Sequence, residues 1–412
     1  VTVHVAGAGL AGLAAALTAA RAGHQVVVHE AAGLAGGRCR SFFDPTLGRV
    51  IDNGTHVVLG ANRAALGFLG AMGGGEAMVP AASRDLPFVD LASGATWSVD
   101  VAGLGISTLM KAAPGATALA GLAVAGITGL MAPGLTVAAA YGHLGALYER
   151  LIVPLSTAVI NCPPSAAPAS LLARVIAKLG RGGRGALRPF VAGTNLAEAF
   201  VGPALGAIEA LGGEVRFHDP LAAIETAGQV ARAAIFRSGR APLGPGDALV
   251  LALPPWALAG LLPRGEKGPP SHRARAIVCT HFAVEGVPGM RQAARLTGCI
   301  NGTAQWFAVT DGVLSVTVSA ADRWMTHGAD DIAARLWRDA STAFHLPGAP
   351  LPPYRVIKER RATASVPGGF GPRGEIAKLF YAGGWTSARY PDTIEAAVSS
   401  GIRAARCLGS AN

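Results

Sequence analysis

Short apolar runs separated by glycine-rich breaks set the rhythm of this chain. Val3-His4-Val5-Ala6 has strand length, Gly7-Ala8-Gly9-Leu10-Ala11-Gly12 breaks it, and an Ala/Leu-rich stretch to about Gly23 reads as a buried helix. Gln25-Val26-Val27-Val28-His29 is a second strand, ending at Glu30. Hairpins are expected at 40–52 around Pro45, at 86–99 near Ser93-Gly94, and at 221–236 about Gly228. The run 248–253 is almost continuously apolar, as in a parallel strand buried on both faces. Strands are also expected at 276–284, 304–309, 313–319, 354–359 and 379–382. Helices are expected at 166–179, at 193–211 with Pro203 kinking or dividing it, at 330–344, and from Pro391–Thr393 to about Leu408.

The first element carries chemistry. Strand, G-x-G-x-x-G, helix, strand and acid stand in register. Gly7 suits the tight turn, Gly9 lets backbone approach a pyrophosphate, and Gly12 lets the helix pack on the strand. The helix N-terminus, with Leu10 and Ala11, offers unpaired N–H groups and a positive dipole end to the phosphates. Glu30, 18 residues after Gly12, suits a ribose hydroxyl pair and would repel a 2′-phosphate. The unit binds a dinucleotide and by itself leaves FAD and NAD open.

Composition narrows the surroundings. The 412 residues suffice for two domains; 51% are hydrophobic and only 15% charged, against an average of about 25%. Residues 112–148 contain no Asp, Glu, Lys or Arg, and the apolar run 116–132 falls short of the ~20 residues that a spanning helix needs. It fits helices lining an apolar cavity or lying in a membrane interface. No basic n-region precedes the first strand, so no leader is expected. Five scattered cysteines form no C-x-x-C, which argues against a disulfide framework or metal site and for a reducing cytoplasm. The net charge of +10 is dispersed and accompanies no nucleic-acid-reading motif, so an anionic membrane surface is the better partner, with peripheral location on the inner membrane.

Gly36-Gly37-Arg38 follows the acid, and Gly383-Gly384-Trp385-Thr386 precedes the last helix. This arrangement resembles the flavoprotein superfamily of amine oxidases, protoporphyrinogen oxidases and carotenoid desaturases. The resemblance implies FAD and an α/β fold: a Rossmann-like, glutathione reductase-like FAD domain (1–80, 190–260, 366–412) with an inserted α+β substrate domain (81–189, 261–365; apolar helical part 105–189). It implies cofactor contacts from Gly36, Gly37 and Arg38, from the turn Gly54-Thr55-His56 near the flavin ring, from Leu221 under the adenine, and from Gly383, Gly384, Thr393 and Ile394. The superfamily has an acid after the glycine where this chain has Gly384. Losing that charge-assisted hydrogen bond would cost roughly 1.5–3 kcal/mol unless another group replaces it. The lysine that amine oxidases hold near the flavin has no counterpart in 276–282, and the aromatic of their amine cage is Thr393.

Four further segments, 49–56, 147–151, 315–323 and 358–363, resemble the squalene-associated FAD-dependent desaturases, understood as hydroxysqualene dehydroxylases. The resemblance spans essentially the whole chain and implies that reduced FAD converts hydroxysqualene to squalene, with an unidentified electron donor. Protonating an allylic hydroxyl releases water and leaves a cation that hydride quenches, so the site needs a general acid and a dry channel. Candidates for the acid are His56, Asp322 and Glu359, supported by Tyr148 and Arg361, with His56 preferred for its turn. A polyprenoid desaturase or oxidase running hydride the other way, and a flavin-free prenyl-lipid carrier, are the alternatives.

Overall fold

The computed structural model describes residues 1–82, 84–103, 116–132, 134–269, 273–290, 293–346, 348–365 and 370–408. Residues 104–115 of the expected apolar helical part, and 366–369 and 409–412 of the expected C-terminal FAD segment, lie outside them.

Five strands form one parallel sheet in the order Glu214–Arg216, Gln25–His29, Thr2–Ala6, Ala248–Leu251, Leu379–Tyr381. All four residues of Ala248–Leu251 are buried, because this strand is covered on both faces. On one face lie helices Leu10–Arg21, Gly202–Ala210 and Ile394–Arg406, sharing a core with Val3, Val5, Val26 and Val28. On the other lies an antiparallel meander, Leu221–Ala227, Val230–Phe236 and Gly239–Pro242, packed on Ala6, Leu249 and Leu251. The first and last helices approach so closely that a side chain at Gly401 would collide with the Ala11 carbonyl. Both ends of the chain are therefore locked together beside the glycine turn.

A seven-stranded sheet runs Tyr354–Ser365, Arg273–Ala283, Val313–Val318, Trp306–Thr310, Leu296–Ile300, Asp85–Asp90, Thr96–Asp100. Leu296–Ile300, which the sequence pattern missed, pairs in parallel with Asp85–Asp90 and joins segments that flank, in sequence, the parallel-sheet strands Glu214–Arg216 and Ala248–Leu251. Helix Ala329–Ala343 buries Leu336 and Trp337 with Val278 and Phe282 on one face. The opposite face, through Phe88, Leu296 and Ala308, meets a helical layer built around Tyr141, Ile152 and Leu172.

Two π-type turns, Tyr148–Ile152 and Ala197–Val201, end one residue short of X-Pro pairs at the start of helices Val153–Ile160 and Gly202–Ala210. Proline lacks the N–H that would continue the ladder, and a widened turn absorbs the misfit. Of the two expected effects of Pro203, kinking or dividing the 193–211 helix, a local distortion is the one observed: Ala197–Val201 runs directly into Gly202–Ala210. The apolar run becomes one helix, Ala116–Met131, which buries Leu122 and Ala125 and leaves Val124, Ile127, Leu130 and Met131 exposed. Among the described residues, no helix is long and apolar enough to cross a membrane.

Candidate active site

The glycine turn is built as its sequence demands. Gly7 sits at φ +102°, and a Cβ there would lie 2.7 Å from the Ala252 carbonyl oxygen. A side chain at Gly12 would collide with the Gly7 carbonyl, whereas one at Gly9 would meet nothing within 4 Å. Gly9 is the extended cap of helix Leu10–Arg21, whose first N–H groups have no partner within the helix. The Glu30 carboxylate accepts from the Ala8 and Ala32 amides, both at 2.8 Å, and so stands at the edge of the same turn. Open space at a helix N-terminus, backbone donors and an anchored acid are the donor set a dinucleotide requires.

The next two glycines close over this turn. The Gly36 amide donates to the Ala8 carbonyl at 2.8 Å, and Gly37 packs near Gly9. Arg38 then spans the molecule: its two terminal nitrogens donate to the two carboxylate oxygens of Asp392 at 2.7 and 3.1 Å, and one also donates to the Ala362 carbonyl. The Asp392 side chain, 2% exposed, also accepts from the Ala364 amide at 2.9 Å. A side chain at Gly384 would run directly into Asp392 Oδ1. The volume of the missing acid is thus filled by a carboxylate from eight residues later. Gly383 is tied to the last helix through its amide and Ser400 Oγ, 2.8 Å. Thr393 caps that helix, accepting from the Ala396 amide, and Ile394 begins it.

The Gly54-Thr55-His56 turn follows hairpin Ser41–Asp44/Arg49–Asp52 and faces the seven-stranded sheet. Gly54 adopts φ +139°, and Thr55 Oγ1 lies 4.0 Å from Cys279 Sγ. Between turn and sheet is a small, partly open cleft whose lining includes Asp52, Thr55, His56, His281, Asp311 and Ser315. His56 Nδ1–H donates to the Gly54 carbonyl at 2.9 Å, and burial lowers the imidazole pKa despite the Gly54 carbonyl and Asp52. Asp52 accepts from Ser41 Oγ at 2.6 Å and the Leu196 amide at 2.8 Å; burial still raises its pKa. On strand Arg273–Ala283, Cys279 and His281 share one face because side chains alternate. Burial opposes charge on both, but each stabilises the other's charged form, so the thiol is lowered and the imidazole raised.

The other candidates stand elsewhere. Asp322 accepts from the Ala276 amide and pairs with Arg275, both at 3.2 Å; it does not line the cleft. Its partner is a residue on the neighbouring strand, which adjacency to Arg323 in sequence could not reveal. Glu359 accepts from Asn53 Nδ2 at 3.4 Å, on the strand that supplies the Ala362 and Ala364 backbone to Arg38 and Asp392. Tyr148 packs in the helical layer, and Arg361 stacks 5.2 Å over Trp256. Leu221 is buried opposite Phe236 at the start of the meander. His281, Cys279 and Asp392 were not singled out from sequence; two-residue spacing on one strand was the available signal for the first pair.

A family model described as flavin containing amine oxidoreductase matches residues 10–88 and 139–409. The chain is 38% identical to a hydroxysqualene dehydroxylase of Rhodopseudomonas palustris over 98% of this chain and 97% of that one. Hydroxysqualene dehydroxylases of Sinorhizobium fredii and Zymomonas mobilis are 36% and 32% identical over the same shares. Among solved structures, an oxidoreductase from Methanosarcina mazei superposes with a TM-score of 0.74 at 14% identity, covering 98% of this chain and all of that one. Putrescine oxidase does so at 0.68 and 16%, covering 100% and 99%. These structural likenesses establish the fold alone.

Proposed function

The chain belongs to the flavin containing amine oxidoreductase family, and from that premise we propose that it is an FAD-dependent hydroxysqualene dehydroxylase, forming squalene from hydroxysqualene with loss of water. The observation that carries the reading is similarity at 32–38% over 98% of the chain to three hydroxysqualene dehydroxylases. Similarity of that extent covers the seven-stranded sheet and helical layer as well as the nucleotide motifs.

Reduced FAD supplies the hydride in this reaction. The backbone of Gly7, Gly9, Leu10, Ala11 and Gly12 with Gly36, Gly37 and Arg38 would hold the pyrophosphate, and Glu30 the adenosine ribose. Leu221 would serve the adenine end, and Gly383, Gly384, Thr393 and Ile394 the flavin end. We assign to Asp392 the hydrogen bond that an acid at 384 would have made, because its carboxylate occupies that volume and keeps Oδ1 bonded only to Arg38 at 3.1 Å. Gly54, Thr55 and His56 face the reacting end. The cleft beside them, bounded on one side by the seven-stranded sheet, offers an allylic hydroxyl polar partners in Asp52, Thr55, His56, His281 and Ser315. Segments 1–80, 190–260 and 366–412 act as the FAD domain, with 81–189 and 261–365 as the substrate domain.

Peripheral contact with an anionic membrane supplies the substrate. The exposed Val124, Ile127, Leu130 and Met131 line one side of helix Ala116–Met131, and the chain carries a net charge of +10.

The test is anaerobic mixing of photoreduced holoenzyme with hydroxysqualene. The expected outcome is flavin reoxidation with stoichiometric squalene. Reoxidation without squalene, or no reoxidation on this substrate, refutes the proposal; flavin reduction by a polyprenoid would support a desaturase, and a colourless protein that takes up no FAD a lipid carrier.

A further inference from the structure

His281 is placed as no structural histidine needs to be. It is 2% exposed, and strand pairing sets it opposite Ser315 in exact register, so that Nδ1 and Ser315 Oγ meet at 2.7 Å. That bond fixes the ring plane. The other nitrogen, Nε2, is fully buried and, among the described residues, makes no hydrogen bond of normal geometry, with Cys279 and the Asp52 backbone as its polar neighbours. Buried polar atoms in native proteins are almost always paired, so an orphan nitrogen on the wall of a polar cleft points to a missing bonding group. Resting on the dehydroxylase reading, we propose that His281 Nε2–H is the proton donor to the leaving hydroxyl of the substrate.

The two histidines of the cleft differ in what they can offer. His56 commits Nδ1–H to the Gly54 carbonyl, so its neutral ring presents an Nε2 lone pair. It accepts the hydroxyl hydrogen and aims an oxygen lone pair away from itself. A protonated His281 keeps Nδ1–H on Ser315 Oγ and has Nε2–H left to donate, on a residue that lines the cleft. The proton passes to the hydroxyl oxygen while the N–H bonding pair stays on His281. The C–O bond breaks with its pair leaving on water, and the allylic carbon takes hydride from the reduced flavin to form the new C–H bond. One alcohol, one proton and one hydride become one hydrocarbon and one water.

Several groups around the ring govern its charge. Asp52 and Arg49 come from the hairpin and His56 from the turn. Cys279 lies two residues back on the strand, and Asp311 stands at the rim. Arg355, opposite His281 on the neighbouring strand, is paired with Asp44 at 3.3 Å. Burial disfavours the imidazolium, but Cys279 and Asp52 outweigh it and hold the pKa above the usual histidine value.

Two measurements test the assignment. In single turnover of the photoreduced holoenzyme, His281→Gln should form squalene at least ~100-fold more slowly at unchanged flavin content, and imidazole should restore turnover to His281→Ala. The wild-type rate should fall as pH rises past the His281 pKa, a limb absent from His281→Gln. Independently, ¹⁵N NMR of labelled wild-type protein, with His281 assigned by its shift in Ser315→Ala, should place the midpoint of His281 above the ordinary histidine value. A wild-type rate in His281→Gln, or a His281 midpoint below that value, overturns the proposal even if one variant fails to fold. Wild-type enzyme that makes no squalene refutes the dehydroxylase reading instead, and the NMR result stands apart from it.

Discussion

Arg38 and Asp392, 354 positions apart, meet in a two-bond guanidinium–carboxylate pair of 2.7 and 3.1 Å, with the carboxylate on the spot that a side chain at 384 would occupy. The pair ties the Gly-Gly-Arg loop to the segment before the last helix, and the Ala362 carbonyl and Ala364 amide bond the same two side chains. Charge-assisted bidentate pairs carry geometric specificity as well as energy.

That arrangement predicts a rescue. Asp392→Ala removes the carboxylate and should weaken FAD binding about 10-fold or more, the equivalent of one charge-assisted hydrogen bond. Gly384→Asp alone should also weaken it, because two carboxylates compete for one volume. The double variant should recover most of the affinity. Flavin fluorescence quenching on apoprotein reads all three; a double variant as weak as the sum of the singles would exclude an exchange between the two positions.

Gly9 and Gly12 should separate cofactor binding from folding. A Cβ at Gly9 meets no protein atom within 4 Å, so Gly9→Ala should leave the apoprotein Tm within a few degrees and cost flavin affinity. A Cβ at Gly12 strikes the Gly7 carbonyl and lies 3.1 Å from Ala252 Cβ, so Gly12→Ala should lower the Tm itself. Equal thermal losses in the two variants would contradict this division.

Glu395 has a structural task. Only 8% exposed, it accepts from the Ala64 and Ala65 amides at the start of helix Arg63–Ala71, at 3.3 and 2.9 Å, and from Lys178 Nζ at 2.6 Å. Glu395→Ala strands two amides and an ammonium and should cost about 2–4 kcal/mol. Urea unfolding of the apoprotein measures it; a change below about 0.5 kcal/mol would show that solvent replaces these bonds freely.

The apolar stripe makes a prediction about lipid. Ile127→Glu with Met131→Glu should weaken sedimentation with phosphatidylglycerol vesicles by at least several-fold while leaving flavin content unchanged, since both side chains are exposed. Unaltered sedimentation would place the contact elsewhere.

How much of this was legible in the sequence depends on how local each feature is. The β-α-β unit is specified within thirty residues by strand, glycine and acid spacing, and its roles follow from that order. The last helix and its Thr393 cap are likewise local. Asp392 was not legible as a replacement for position 384, because loop 384–392 must fold back before the two positions coincide in space. The partners of Asp322, Arg275 and Ala276, were not legible for the same reason, since the fold and not sequence adjacency brings them to it. His281 sits in an apolar strand that reads as core, and only the register with Ser315 and the facing turn turns it toward the cleft.

A last prediction concerns acid stability and lies outside the cleft. Between the parallel sheet and the meander, His4 Nδ1 meets His29 Nε2 at 3.0 Å, and His29 Nδ1 meets Asp219 Oδ2 at 2.7 Å under the stacked ring of Phe236. Burial first, and then the neighbouring His29 charge, lower the His4 pKa to about 4. An unfolded chain would bind a proton at His4 near pH 6.5, whereas the folded one refuses it until about pH 4. Between those values the unfolded state holds more protons, so stability rises with pH across the window and is lost on acidification from about 6.5 to 4. His4→Gln keeps a polar partner for His29 but cannot titrate, so its urea midpoint should fall less steeply over that range than the wild type's. An identical slope in the two proteins would mean that His29 alone, whose pKa is lowered in the same direction by burial, accounts for the acid sensitivity of this interface.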